Sequence, residues 1–101
     1  DALFVTNVDM MLGSIIFLKE NKIKISEDLA FAGFDDPEWA MLLNPPLTVV
    51  QQPVYDLGVT AAEILIKKIV NNEDSNSSLI HVLNTTLVVR ESSIKKVKFH
   101  S

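Results

Sequence analysis

The chain has 101 residues, 48% of them hydrophobic and 22% charged, a composition that excludes disorder over most of its length and leaves room for one domain or part of one. A domain of about 100 residues buries roughly two-thirds of the surface its unfolded chain exposes, so any core is thin. Thirteen acidic residues against nine basic ones give a formal charge of -4, which repels a polyphosphate, and the absence of cysteine removes disulfides, thiol nucleophiles and cysteine metal sites.

The longest apolar runs, Ala2 to Val5 and Leu29 to Phe34, fall far short of the roughly 20 residues that a membrane span requires. Asp1-Ala2-Leu3-Phe4-Val5 has no basic region before its apolar run, so it is not read as a signal peptide but as a strand cut from a longer chain. Ala2 to Thr6 is continuously apolar and β-capable, the pattern of a strand covered on both faces in a parallel sheet. Asn7-Val8-Asp9 then supplies helix-start chemistry, and Met11, Leu12, Ile15, Ile16 and Leu18 recur at helical spacing up to Asn21-Lys22.

After a polar turn at Ser26-Glu27-Asp28, Leu29 to Phe34 repeats the doubly buried strand pattern. Pro37 with Asp36 as its cap predicts a short helix over Pro37 to Leu43, ended by Asn44-Pro45-Pro46 because the residue before a proline is pushed out of the helical region. Leu47 to Val50 reads as a third strand. Val54 to Val70 is the strongest helix, with Val54, Leu57, Ala61, Leu65 and Ile69 in one stripe and Lys67 and Lys68 in its last turns, where the helix dipole favours them. Asn71 to Ser78 is polar and acidic and predicts a mobile surface loop. Leu79 to Val82 and Thr86 to Val89 look like strands, the second closed by Arg90-Glu91-Ser92-Ser93, and Ile94 to Ser101 reads as a tail or edge strand. Strands alternating with helices predict an α/β fold, a parallel-sheet three-layer sandwich.

In such a sheet, ligands bind outside the carboxyl ends of the strands. Asn7, Asp35 and Gln52 follow the first three predicted strands, and two amides with a carboxylate suit a neutral polyhydroxylated or amide-rich ligand better than a phosphate. Each also has a plainer reading: Asn7 as a helix cap, Asp35 and Asp36 as turn and cap residues, Gln52 as a solvated turn residue. Asp35-Asp36 as a magnesium pair lacks a third acid or a lysine in matching placement. His81 reads as a plain strand residue and His100 lies in the tail, so no metal site is expected. Gly13, Gly33 and Gly58 are scattered singly, with no phosphate or dinucleotide loop, and no cofactor is expected. Trp39, Met41, Leu42 and Leu43 make the Pro37 to Leu43 segment apolar on more than one side, which fits either core packing or a subunit contact.

Four ordered motifs carry a resemblance over residues 2 to 93: Val5-Thr6-Asn7-Val8-Asp9-Met10-Met11-Leu12-Gly13, Glu27 to Asp36 with its Gly33-Phe34-Asp35-Asp36, Pro45 to Pro53, and Leu87-Val88-Val89-Arg90-Glu91-Ser92. Together they resemble the closing third of the effector-binding domain of LacI/GalR-type bacterial transcription regulators, whose fold is similar to periplasmic sugar-binding proteins. The resemblance implies a sensor, not an enzyme, with Asn7, Asp35 and Gln52 as ligand-binding residues. It implies a sugar or other small effector, homodimer contacts through Leu12, Trp39, Met41 and Leu43, and operator DNA reached only through an upstream headpiece, in the cytoplasm and without a membrane. It divides the chain into C-terminal-lobe βα units (1–46), a lobe crossover (47–53), an N-terminal-lobe helix and loop (54–78), returning strands (79–93) and a tail (94–101). Val8 and Gln51 depart from the family, which usually has an aspartate and a basic residue there. Two alternatives stand beside this reading: a periplasmic sugar-binding protein of a transporter, and a magnesium-dependent α/β hydrolase or phosphotransfer domain.

Overall fold

A computed structural model describes residues 1–71 and 80–94. The chain divides into two compact units, residues 1–51 together with 86 onward, and residues 52–85. The first unit is built on a four-stranded sheet: β1 (Ala2–Val5), β2 (Ala30–Phe34), β3 (Thr48–Gln51) and β4 (Thr86–Val88), in that spatial order. β1 pairs with β2 and β2 with β3 in parallel, while β3 and β4 are antiparallel. The sheet is therefore mixed and mainly parallel. The final strand runs against the others because it returns directly from the second unit, a reversal that no local pattern in Thr86–Val88 encodes.

Helix α1 (Val8–Glu20) connects β1 to β2 and buries Met11 and Leu18. These two side chains join Val5, Phe31, Ala40, Leu47 and Val49 in the core, with Ile15, Trp39, Leu43 and Val88 among the half-buried residues packed against it. Gly33 in β2 permits a close approach of helix to sheet. A Cβ there would lie 2.5 Å from Met11 Sδ and Cε, so the end of the buried Met11 side chain would have to shift to admit it.

Several predicted features differ from the structure. β1 is not covered on both faces in this chain: Ala2, Leu3 and Phe4 are exposed, Phe4 by 54%, and only Val5 is buried. The Pro37 to Leu43 helix is a 3-10 turn over Glu38–Leu42, with Pro37 at the cap position and no side-chain cap. Asp36 does not cap it, because its carboxylate is held elsewhere, as described below. Residues 80–82 form no strand: Ile80 and Val82 are almost fully exposed and have no ladder to join. His81 accordingly lies outside any strand. The predicted loop over 72–78 and the tail from 95 fall outside the described residues.

In the second unit, α2 spans Val54–Val70, as its apolar period predicts, with Asp56 in its first turn and Lys67 and Lys68 in its last. It buries none of its residues in this chain. No helix among the described residues is long and apolar enough to cross a membrane.

Candidate functional site

The parallel arrangement of β1, β2 and β3 sends their carboxyl ends to one edge of the sheet. Asn7 lies two residues past β1 and Asp35 directly follows β2, so both predicted site residues leave the sheet at that same edge of the first unit. Gln52 directly follows β3 as the first residue of the second unit.

Asn7 is the cap of α1. The Met10 N–H donates to its Oδ1 at 2.8 Å, which satisfies one of the helix's unpaired first-turn donors. The cap reading is therefore correct for the oxygen. It also fixes the side-chain rotamer at the head of the helix, with the amide's Nδ2 a separate donor.

Asp35 sits at φ 81, in the left-handed region that carries strain for a residue with a Cβ, although aspartate tolerates it better than most. Its N–H donates to the Val50 carbonyl at 2.9 Å, so β3 anchors the backbone at the turn. The next residue, Asp36, is the centre of a polar network. Arg90 Nη1 and Nη2 each donate to one of its carboxylate oxygens at 3.0 Å, a two-pronged pairing with both side chains largely buried at 14% and 15% exposure. Gln51 Nε2 donates to Asp36 Oδ2 at 3.0 Å, and Arg90 Nη1 also donates to the Leu47 carbonyl at 2.9 Å. The hydrogen bonds from Arg90 hold the Asp36 carboxyl below the ordinary carboxylate range, with the arginine charge and Gln51 adding to the effect and burial opposing it.

The segment that carries Arg90 is itself fastened to the sheet. Thr48 Oγ1 accepts from the Arg90 N–H at 2.7 Å and donates to the Arg90 carbonyl at 2.9 Å. Ser92, fully buried, accepts from the Thr48 N–H at 2.7 Å and donates to the Phe31 carbonyl at 2.6 Å. Arg90, Thr48 and Ser92 are positional residues that sequence reasoning missed. The available signal was an arginine and two serines ending an apolar strand, but it showed only a strand terminus, because Arg90 and Asp36 are 54 residues apart.

A carboxylate committed to an arginine on both oxygens is a poor magnesium ligand, and among the described residues no group of three or more histidines or acids is placed to hold a metal ion. The four residues named for a subunit contact divide into two pairs. Trp39 and Leu43 are half-buried against the core, while Leu12 and Met41 are exposed, Met41 by 61%. A cleft of about 680 Å³ lies near the amino ends of β2 and β3, away from Asn7 and Asp35, with a mixed lining that includes Ile15, Ile23 and Pro45 beside Lys19, Lys24 and Glu27.

The mainly parallel four-stranded sheet with α1 packed on it has the α/β fold of the periplasmic-binding-protein-like type I class. Residues 1–93 match the periplasmic binding protein-like domain family. The chain is 35% identical over 97 residues to the probable HTH-type transcriptional regulator EndR of Paenibacillus polymyxa, an alignment covering 93% of this chain and 28% of that protein. Its fold matches a LacI family transcriptional regulator from Enterococcus faecium with bound ribose (TM-score 0.80, 26% identity, 96% of this chain and 35% of that one). It also matches the lac repressor dimer bound to operator and the anti-inducer ONPF (TM-score 0.75, 27% identity, 92% of this chain and 27% of that one). The chain belongs to the periplasmic binding protein-like domain family, and it spans between a quarter and about a third of the length of these relatives.

Proposed function

We propose that the chain is the C-terminal part of the effector-binding domain of a cytoplasmic, sugar-responsive transcription regulator. The observation that carries this is that Asn7 and Asp35 follow the carboxyl ends of adjacent parallel strands in a chain whose family is periplasmic binding protein-like and whose relatives include LacI-family regulators. In this reading the Asp35 carboxylate accepts hydrogen bonds from two neighbouring sugar hydroxyls and the Asn7 amide donates to a ring or hydroxyl oxygen. The ribose held by the Enterococcus faecium relative supports a sugar as ligand.

The domain performs no reaction in this account. Bound sugar favours one arrangement of the regulator over another, and it shifts that equilibrium only by its difference in affinity for the two. Operator binding belongs to a headpiece upstream, since the acidic balance of this segment opposes contact with phosphates. The working assembly is a homodimer to which exposed Leu12 and Met41, with half-buried Trp39 and Leu43, contribute; the dimeric lac repressor relative supports this. A transporter's periplasmic binding protein is less favoured, because the relatives named above are regulators.

In the full-length regulator, Asp35→Ala is expected to abolish the response of operator binding to sugar while operator affinity without sugar is retained. Titration of labelled operator with and without sugar measures this. A normal response in the variant removes Asp35 from the pocket.

A further inference from the structure

Asp36 is bound on both carboxylate oxygens by protein groups, and its two partners come from different places. Arg90 lies just past β4, and Gln51 is the last residue of β3. The chain passes between its two units at only two points, after Gln51 and before Thr86, and these residues are register partners on adjacent strands. Asp36 therefore joins two features through one carboxylate: the strained turn that presents Asp35, its immediate neighbour, and the strand ends by which the chain leaves the first unit.

We propose that Asp36 is a positioning residue that couples occupancy at Asp35 to the Gln51–Thr86 strand ends, with Arg90 fixing its carboxylate and Gln51 carrying the tie to β3. This rests on the reading of Asp35 as a sugar ligand. The division of labour follows from the bonds. Arg90 grips both oxygens and an adjacent backbone carbonyl, so it sets where the turn sits. Gln51 gives a single hydrogen bond from an uncharged donor on an exposed side chain, a weaker link than the two-pronged arginine pairing and therefore suited to differ between two arrangements of the strand end. Occupancy at Asp35 acts on the Gln51 link and not on the Arg90 grip, because the single bond is the weaker of the two.

The test uses the full-length regulator, a panel of D-ribose, D-xylulose, D-glucose and D-galactose, and the DNA that the wild-type protein selects from a pool of random duplexes. Gln51→Leu is expected to leave sugar affinity and sugar-free DNA affinity as in the wild type, while the change in DNA affinity caused by saturating sugar falls at least about fivefold. Gln51→Lys restores a donor to Asp36 and is expected to recover the response. Asp36→Asn is expected to weaken sugar binding itself by about tenfold, because the turn bearing Asp35 is no longer held. Should Asp36→Asn fail to fold, the two Gln51 variants decide alone, since that side chain is exposed. A wild-type response in Gln51→Leu overturns the proposal, and so does an equal loss in Gln51→Lys, because the donor would then be irrelevant. A wild-type protein that binds no sugar of the panel contradicts the sensor reading, and the coupling falls with it; binding without the Gln51 effect contradicts the coupling alone.

Discussion

The two ends of β2 carry the same backbone irregularity and treat it in opposite ways. Asp35, at the carboxyl end, has φ 81, and Ser26, four residues before the amino end, has φ 79. At the carboxyl end the strained residue is followed by a carboxylate whose oxygens are bound by Arg90 and Gln51. At the amino end, the Ser26 N–H donates to the Leu29 carbonyl at 2.7 Å, but its hydroxyl is buried with no hydrogen-bond partner among the described residues. Strain supported by a polar network presents a side chain for use; strain beside a buried hydroxyl with no side-chain or backbone partner among the described residues is expected to cost about 1–3 kcal/mol.

The largest expected effect comes from removing the support at the carboxyl end. Arg90→Met leaves a largely buried carboxylate unpaired and is expected to destabilise the protein by about 3 kcal/mol in urea denaturation. A loss below about 0.5 kcal/mol would show that the pairing is a surface contact and would break the contrast between the two ends. The same variant alters the response to acid. Because the folded protein holds the Asp36 carboxyl below its ordinary value, the pairing's contribution is fully present above that value, near pH 4, and is lost as pH falls through the folded value. Wild-type stability is expected to fall more steeply than that of Arg90→Met below about pH 4. Parallel pH curves would contradict this.

A smaller effect, of opposite sign, is expected at the amino end. Ser26→Gly removes the unpaired hydroxyl and places at φ 79 the residue that adopts it freely. It is expected to stabilise the protein by about 1 kcal/mol, a rise in Tm of about 2–4 °C in a full-length chain. A fall in Tm would mean that the hydroxyl has a stabilising role, and the two ends would then be alike.

The elements that local pattern governs were legible in the sequence. α2 runs over Val54–Val70 because its apolar period is uninterrupted, and Asn7 caps α1 because an amide before an apolar helix is a sufficient local signal. Burial was less legible. Ala2 to Thr6 looks like a strand covered on both faces, yet Ala2, Leu3 and Phe4 are exposed in this chain, and whether another element packs on a strand's face is not written in the strand's own residues. The antiparallel direction of β4 and the role of Arg90 were invisible for a related reason: both depend on which distant segment returns beside β3. Asp36 looked like a cap for Pro37 because that solution is local, and a two-pronged pairing with an arginine 54 residues away outcompeted it. The candidate ligand residues Asn7 and Asp35 could be placed at one edge because three strand ends in an α/β order suffice to locate that edge.

The most direct test is a crystal structure of the full-length regulator with the sugar of highest affinity from the panel. The account predicts the sugar at the carboxyl edge of the sheet, two of its hydroxyls within about 3 Å of the Asp35 carboxylate. A sugar seated elsewhere, with Asp35 turned away from it, would contradict the account.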